Sequence, residues 1–416
     1  MTFRFIHTAD MHLDSPLRTL ALKNEALADL VSSSSRDALE KIVQTSIERK
    51  VDAVLVAGDL FDGEVRSMKT AAFVSKQMRN LNAAGIRVFM IKGNHDAESK
   101  IATQIPMPDN VHIFSGRSAT RRIEYADVAV HGVSFPGKLV SESLLPRFPQ
   151  PVEGCFNIGI LHTSIGGSAG HDTYAPCSEH ELIAFEYDYW ALGHIHKRSV
   201  INENPHIVMP GIPQGRDIGE SGPKSATLVE VSNGKVNLEE IATAKAEFAS
   251  VRVNATGIDS WDNLLEALSE ALAAANGNSK APNLVARIAV VGRCPIHWRI
   301  RHSKEILKEH LEGKVASIGG VWIEQIDIET TPDTPGQAGA DPIDELLGHM
   351  RELSSDASLR KRAREEWESL LKQLPRETRA DWGGMPPGDV DDLLERLIVE
   401  GGEDIAASLR PERIEQ

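Results

Sequence analysis

The sequence predicts an α/β fold in which two packed β-sheets are flanked by helices. In the first part of the chain, short apolar runs alternate with amphipathic helical patterns, and the apolar runs end in polar residues. This arrangement is typical of buried strands in an α/β sheet. After residue 110, strand-like runs outnumber helical ones. That change favours a second sheet packed against the first.

The predicted elements of the first domain, residues 1–245, follow in chain order. The sequence predicts helices at 36–49 and 67–83, and strands at 3–7, 51–57, 86–91, 111–114, 128–133, 156–161, 189–192 and 206–209. Residues 225–241 alternate in polarity around Asn233-Gly234, which is a strong hairpin signal.

Three further regions are predicted beyond this domain. In residues 246–330 the sequence pattern predicts a strand, a helix, a strand, a helix and a strand in that order, which indicates a small α+β domain. Residues 331–340 are rich in Thr, Pro, Gly and Ala, as in a flexible linker. Residues 341–416 contain helical stretches at 341–373 and 389–409 that are too small and polar to form a core of their own. Their leucines can form an apolar stripe.

Composition limits the function classes. Hydrophobic residues make up 41% of the 416 residues, no apolar run is long enough to span a membrane, and no secretion signal is recognisable. The three cysteines lack CxxC spacing, which fits a reducing cytoplasm. The net charge of −15 argues against free-standing, high-affinity binding of bulk nucleic acid. The charge is uneven, because 19 acidic and 11 basic residues fall between Asp341 and Gln416.

Side chains of the types that bind metals follow five of the predicted strands. They are Asp10, His12, Asp59, Asn94, His162, His194 and His196. The carboxyl ends of strands in an α/β sheet gather around one crevice, so five separate segments can converge there. Asp10 and His12 are two residues apart, as are His194 and His196, and residues i and i+2 of an extended chain face the same side.

This set is larger than one ion requires. Two ions that share Asp59 as a bridging carboxylate are the economical solution, and paired ions of this kind bind phosphate and activate water. Imidazole, carboxylate and amide ligands favour manganese, iron or zinc. Each motif alone also has an ordinary structural interpretation: Asp10 as a helix cap, Gly93–Asp96 as a turn, and His194 or His196 as a buried, hydrogen-bonded histidine.

The motifs DMH, GDLFD, GNHD, the histidine of LHTS, and GHIH resemble the five signature blocks of calcineurin-like metallophosphoesterases. Their order and spacing resemble the DNA-repair exonuclease branch, the SbcD type and especially the YhaO type. The YhaO likeness lies in HTADMHLDSPL and in PGIPQGRDIGESGPKSATLVEV at 210–231. The blocks cover residues 7–196, and the broader likeness reaches about residue 330. It implies a four-layer β-sandwich flanked by helices, with a small α+β capping domain and C-terminal helices.

The resemblance also implies roles for the site residues. One ion would be held by Asp10, His12, Asp59 and His196, and the other by Asp59, Asn94, His162 and His194. His95 would protonate the leaving oxygen or stabilise the transition state, with Asp96 orienting it. Asp14, Asp62 and Arg216 are weaker candidates: Asp62 is expected as a cap or a partner of a ligand, and Arg216 as a phosphate contact or a structural salt bridge.

The family likeness further implies DNA as substrate and an SMC-like coiled-coil ATPase subunit docked on the C-terminal helices. It also implies a homodimer. The capping domain would help to orient DNA. Arg299 and Arg301, in a predicted strand beside Trp298, either track a DNA backbone or form a solvated basic face. The sequence thus predicts a metal-dependent DNA exonuclease or endonuclease in cytoplasmic DNA repair. The rivals are a phosphoesterase of small molecules or phosphoproteins, and a non-catalytic scaffold subunit.

Overall fold

The computed structural model of the chain describes residues 2–15, 25–62, 68–98, 106–117, 119–166, 174–333, 342–354, 356–374 and 387–410. These residues form two compact units, residues 1–249 with 278–285 and residues 250–277 with 286–416. In the described part of the chain, no helix combines the length and the apolar character needed to cross a membrane.

The first unit contains twelve strands and four α-helices among its described residues. The strands are β1 (Thr2–Thr8), β2 (Ala53–Ala57), β3 (Arg87–Ile91), β4 (Val111–Ile113), β5 (Ala119–Ile123), β6 (Val128–Gly132), β7 (Phe156–His162), β8 (Tyr189–Gly193), β9 (Ser199–Glu203), β10 (His206–Met209), β11 (Ser225–Ser232) and β12 (Lys235–Ala242). The helices are α1 (Glu25–Glu48), α2 (Met68–Ala83), α3 (Asn94–Glu98) and α4 (Glu179–Ala184).

The strands form two six-stranded sheets, so the predicted α/β fold is confirmed. The first sheet has the order β12-β11-β1-β2-β3-β4, and the second has the order β5-β6-β7-β8-β10-β9. Strands β1 to β4 are parallel, as are β6, β7, β8 and β10. The hairpin of β11 and β12 turns at Asn233 and Gly234, both with positive φ, as the sequence predicted.

Successive side chains of a strand point to opposite faces of the sheet, so the two faces pack in different apolar layers. In β1, the Phe5 side chain packs with Ile158 and Tyr189 of the second sheet, whereas Ile6 packs with Leu39 and other residues of the flanking helices. The interior between the two sheets is therefore apolar, and the site residues lie beyond the strand ends.

Helix α1 begins about ten residues earlier than the sequence pattern predicts. Serines 32–34 are weak helix formers, but each hydroxyl donates to the carbonyl three residues before it. Leu27 and Val31 are buried, and their packing extends the helix towards its amino end.

The second unit contains a three-stranded sheet and six helices among its described residues. Its elements are β13 (Ala246–Asn254), α5 (Trp261–Asn278), β14 (Asn283–Cys294), α6 (His297–His302), α7 (Lys304–Val315), β15 (Val321–Pro332), α8 (Pro342–Ser354), α9 (Ala357–Gln373) and α10 (Pro387–Leu409). The sheet order is β13-β14-β15. Residues 334–340 of the predicted linker lie outside the described residues.

The structure differs from prediction at two places in this unit. The stretch 297–302, predicted as a strand, is helix α6. The long helical stretch 341–373 is two helices, and the Asp356 side chain caps the second by accepting from the backbone N–H groups of Ser358 and Leu359. Helix α10 packs against α6, α8 and α9. The predicted leucine stripe is only partly buried, since Leu347 is enclosed whereas Leu346, Leu353 and Leu370 are exposed.

Candidate metal centre

The seven predicted ligand side chains all lie at the carboxyl ends of parallel strands. Asp10 and His12 follow β1, Asp59 follows β2, and Asn94 follows β3. In the second sheet, His162 is the last residue of β7, and His194 and His196 follow β8. Contacts between β2 and both β7 and β8 bring these strand ends of the two sheets together. Five chain segments therefore meet at one edge of the sandwich.

One group of side chains surrounds His162. Its Nε2 lies 3.3 Å from Asp59 Oδ2 and 3.0 Å from Asn94 Oδ1. The Nδ1 of His162 lies 2.9 Å from the carbonyl oxygen of Ala57, which can only accept a hydrogen bond. That contact places a proton on Nδ1. In the neutral ring the lone pair of Nε2 therefore points towards Asp59 and Asn94.

A second group contains His12 and His196. Their Nε2 atoms face each other at 3.2 Å, and Asp10 supplies a carboxylate oxygen to the same cluster. Asp10 also accepts from the backbone N–H of His194 at 2.8 Å, and the His194 ring lies 5.2 Å from that of His162. The structure thus brings all seven residues into two adjoining clusters.

The backbone at this edge is unusual in a way that the sequence pattern did not reveal. Asp10, His12, Asp59 and His194 have φ values of 53°, 41°, 50° and 102°, in or near the left-handed region. Non-glycine residues rarely adopt this conformation, and they persist in it only where surrounding structure holds them. Concentration of such residues at the strand ends is typical of functional sites.

The donor set fits divalent metal ions. Asp10 Oδ1 is buried and has no hydrogen-bond partner among the described residues. Burial alone lowers the pKa of His162, but the charges of Asp59 and Asp10 outweigh it and raise the pKa. Two buried carboxylates thus favour positive charge at this point. A transition metal ion bound by such carboxylates and imidazoles would supply this positive charge.

His95 stands beside the clusters without belonging to the ligand pattern. Its ring centroid lies 4.8 Å from that of His12, and its side chain is 38% exposed. Its Nδ1 lies 3.0 Å from Asp62 Oδ1, and this hydrogen bond raises the pKa of His95 despite partial burial. The hydroxyl of Ser15 in turn donates to Asp62 Oδ2 at 2.7 Å.

The expectation that Asp96 orients His95 is wrong. The Asp96 carboxylate is buried and accepts from the backbone N–H groups of Leu60, Phe61 and Gly93 at 2.9–3.2 Å. It therefore fixes the loops that follow β2 and β3. Asp62, predicted as a cap or a partner of a ligand, is the carboxylate beside the His95 ring.

Glu220 is a site residue that sequence reasoning missed. Its Oε1 lies 2.6 Å from His196 Nδ1, and Arg216 donates to both of its carboxylate oxygens. Burial raises the pKa of Glu220, but the hydrogen bonds from His196 and Arg216 outweigh it and hold the pKa well below its usual range. Arg216 thus forms the salt bridge that was one of its two predicted roles. The signal was the unexplained conjunction of Arg and Glu in RDIGE, at positions i and i+4.

Other candidates have structural partners. Asp14 receives two hydrogen bonds from Arg36, at 2.7 and 2.8 Å, which identifies it as part of a packing ion pair. His7 and His131 lie outside the ligand motifs of the sequence, and in the structure both are buried and hydrogen-bonded. His171 lies outside the described residues.

The prediction that Arg299 and Arg301 share one face of a strand is also wrong. They lie in α6, and the Arg301 side chain is only 7% exposed because it pairs with Glu403 and Asp404 of α10, each at 3.1 Å. The Trp298 ring is covered by Arg410, whose guanidinium carbon lies 4.3 Å from the ring centroid. Arg301 and Trp298 therefore hold α10 and the adjoining residues instead of presenting an open nucleic-acid surface.

Comparison with known proteins agrees with this geometry. The calcineurin-like phosphoesterase family matches residues 3–198, and the middle domain of the metallophosphoesterase YhaO matches residues 248–331. The chain is 31% identical to a protein of Bacillus subtilis described as the uncharacterized metallophosphoesterase YhaO, over 84% of this chain and 86% of that protein.

Similarity to named nucleases is more distant. The chain is 27% identical to the DNA double-strand break repair protein Mre11 of Methanocaldococcus jannaschii, over 49% of this chain and 54% of that protein. It is 23% identical to a subunit of the nuclease SbcCD of Escherichia coli, over 60% of this chain and 72% of that protein. With its strand-end cluster of carboxylates and imidazoles, the chain belongs to the YhaO family of calcineurin-like metallophosphoesterases.

Proposed function

We propose that this phosphoesterase is a metal-dependent DNA exonuclease or endonuclease that acts in DNA repair. The observation that supports the hydrolytic mechanism is the position of His95, a partly exposed imidazole with a raised pKa beside the ligand clusters. The choice of DNA is supported by the similarity to the archaeal repair protein and to the bacterial nuclease subunit.

In this proposal, Asp59 would contribute to the ligand sets of two divalent ions. Asp10, His12 and His196 complete one ligand set, and Asn94, His162 and His194 complete the other. Manganese is the metal proposed for these oxygen and nitrogen donors, with iron and zinc as alternatives. When bound, two such ions would supply positive charge to offset that of a phosphodiester and would lower the pKa of water for in-line attack.

The protein residues perform the proton transfer and the positioning. The His95 side chain is 38% exposed beside the ligand clusters, so it can give a proton to the leaving oxygen of an incoming phosphodiester. Asp62 holds its Nδ1 and leaves Nε2 for the substrate. The carboxylate also favours the protonated ring, which is the form that a general acid requires.

The proposed partners are DNA, an SMC-like coiled-coil ATPase subunit and a second copy of the chain, in the cytoplasm. The C-terminal helices support an ATPase partner, since Leu346, Leu353, Leu370 and Leu397 are 40–56% exposed there. A basic partner would also offset the net charge of −15, which is unfavourable for DNA binding by the chain alone.

The test is manganese-dependent cleavage of end-labelled linear DNA by the wild-type chain and by Asp59→Ala, His95→Ala and His180→Ala. Asp59→Ala should lose both cleavage and bound metal. His95→Ala should keep the metal and lose about 10²–10⁴-fold in rate. His180→Ala, at an exposed histidine of α4, should behave as wild type.

Each rival function predicts a different result. If the wild type leaves DNA intact, alone and with its ATPase partner, but cleaves a small phosphodiester, the DNA proposal fails and the phosphoesterase class stands. If no phosphoester is cleaved with manganese present, the chain acts as a scaffold subunit.

A further inference from the structure

The segment 215–221 makes a compact loop that returns Glu220 to the side of Arg216. Asp217 Oδ1 accepts from the backbone N–H of Gly219 at 2.8 Å, which turns the chain. The backbone N–H of Arg216 then donates to Glu220 Oε2 at 2.8 Å, and its guanidinium donates to Oε1 at 2.6 Å. The loop therefore presents one carboxylate in a defined position.

That carboxylate faces the ring nitrogen of His196 that points away from His12. A neutral imidazole carries one N–H and one lone pair. Because Glu220 Oε1 lies 2.6 Å from Nδ1, the proton stays on Nδ1 and the lone pair stays on Nε2. Nε2 is the atom that faces His12 Nε2 at 3.2 Å, within the cluster that also contains Asp10. The tautomer required of a metal ligand is thus selected by Glu220.

Arg216 gives the carboxylate both its orientation and its charge balance. Bidentate contact with a guanidinium fixes the plane of a carboxylate more firmly than a single ammonium would. An unpaired carboxylate at this place would repel a phosphate substrate, and the arginine charge offsets that repulsion. Arg216 Nη2 also lies 3.4 Å from His196 Nδ1, so the three side chains contact one another, although the protonated Nδ1 accepts no hydrogen bond from the guanidinium.

We propose that Glu220 and Arg216 are positioning residues that hold His196 as an Nε2 ligand and thereby set the affinity of one of the two metal ions. The inference rests on the proposed binuclear site but not on the choice of DNA as substrate. Neither residue belongs to the five signature motifs, and neither lies within 15 positions of His196 in the chain.

The experiment measures Mn²⁺ binding by isothermal titration calorimetry, without substrate, for the wild type, Glu220→Ala, Glu220→Gln and Arg216→Lys. Glu203→Ala and Glu203→Gln, at an exposed glutamate of β9, are the matched controls. Removal of a carboxylate partner from a ligating histidine typically weakens metal binding by about 10–100-fold. Glu220→Ala should show that loss for one of two ions, with smaller losses for Glu220→Gln and Arg216→Lys and none for the controls.

A structural role alone would reduce stability without changing metal affinity, so urea unfolding of each variant is measured in parallel. If Glu220→Ala is folded and binds both ions with wild-type affinity, the inference is overturned. If that variant does not fold, Glu220→Gln decides: weaker binding than Glu203→Gln supports the inference, and wild-type affinity overturns it. Failure of the wild type to cleave DNA would not change the conclusion drawn from the metal affinities, because these are measured without substrate.

Discussion

Replacement of Gly93 by alanine tests whether the strand-end loops are packed tightly enough to hold the metal site. A methyl group built on Gly93 would lie 2.8 Å from Asp59 Cγ and 2.9 Å from Asp59 N. Ordinary van der Waals contact begins at 3.4 Å, so Asp59 must shift by roughly 0.6 Å or more. Asp59 is only 2% exposed, so it cannot move out into solvent without disturbing its neighbours. Overpacking of this kind costs about 1–3 kcal/mol in the free energy of unfolding.

The functional loss should exceed the loss of stability. Asp59 Oδ1 also accepts from the backbone N–H of His95, so the same shift disturbs both a proposed ligand and the proposed acid. Misplacement on the order of 1 Å can cost about 10²-fold in rate. We expect Gly93→Ala to lose roughly that factor in kcat/KM on a small phosphodiester, together with bound manganese measured by mass spectrometry.

Gly137→Ala, in the same unit, is the control. A methyl group added there has no atom within 4 Å other than those of its chain neighbours. This variant should keep wild-type activity, metal content and stability. The reasoning is refuted if Gly93→Ala remains folded, binds two manganese ions per chain and hydrolyses the substrate at the wild-type rate.

Two further predictions concern titration. Asp62→Asn replaces the charged acceptor that raises the pKa of His95 by a neutral one, so the alkaline limb of the kcat/KM–pH profile should move to lower pH. An unmoved limb would exclude Asp62 as the partner of the acid. Burial lowers the pKa of His7 to about 3, below its ordinary value of 6.5. The folded state therefore resists protonation, and its stability falls as the pH drops below 6.5. Between pH 7.5 and 5.5 the contribution of His7 to the free energy of unfolding should fall by about 1.4 kcal/mol. Urea unfolding of wild type and His7→Gln at both pH values measures this contribution as a difference, and equal pH dependence would contradict it.

Both errors in the sequence predictions arose where contacts with distant parts of the chain, and not the local sequence pattern, set the backbone conformation or the direction of a side chain. Arg299 and Arg301 were expected to point the same way along an extended stretch, yet residues 297–302 form a helix on which α10 packs and with which it pairs through Arg301. The family resemblance implied that Asp96 orients His95. On the short helix α3, consecutive residues point in different directions, and the Asp96 carboxylate is directed at backbone N–H groups.

The sequence by itself determined the α/β class, the hairpin at Asn233-Gly234 and the seven candidate ligands. These follow from short-range periodicity and from the rule that polar residues at the ends of parallel strands meet at one edge. Only the tertiary structure decided which side chains contact the proposed acid His95 and the candidate ligand His196. Asp62 and Glu220 lie beside His95 and His196 because separate loops fold back over the strand ends. No local pattern encodes such contacts, because they depend on the three-dimensional path of chain segments that are distant in sequence.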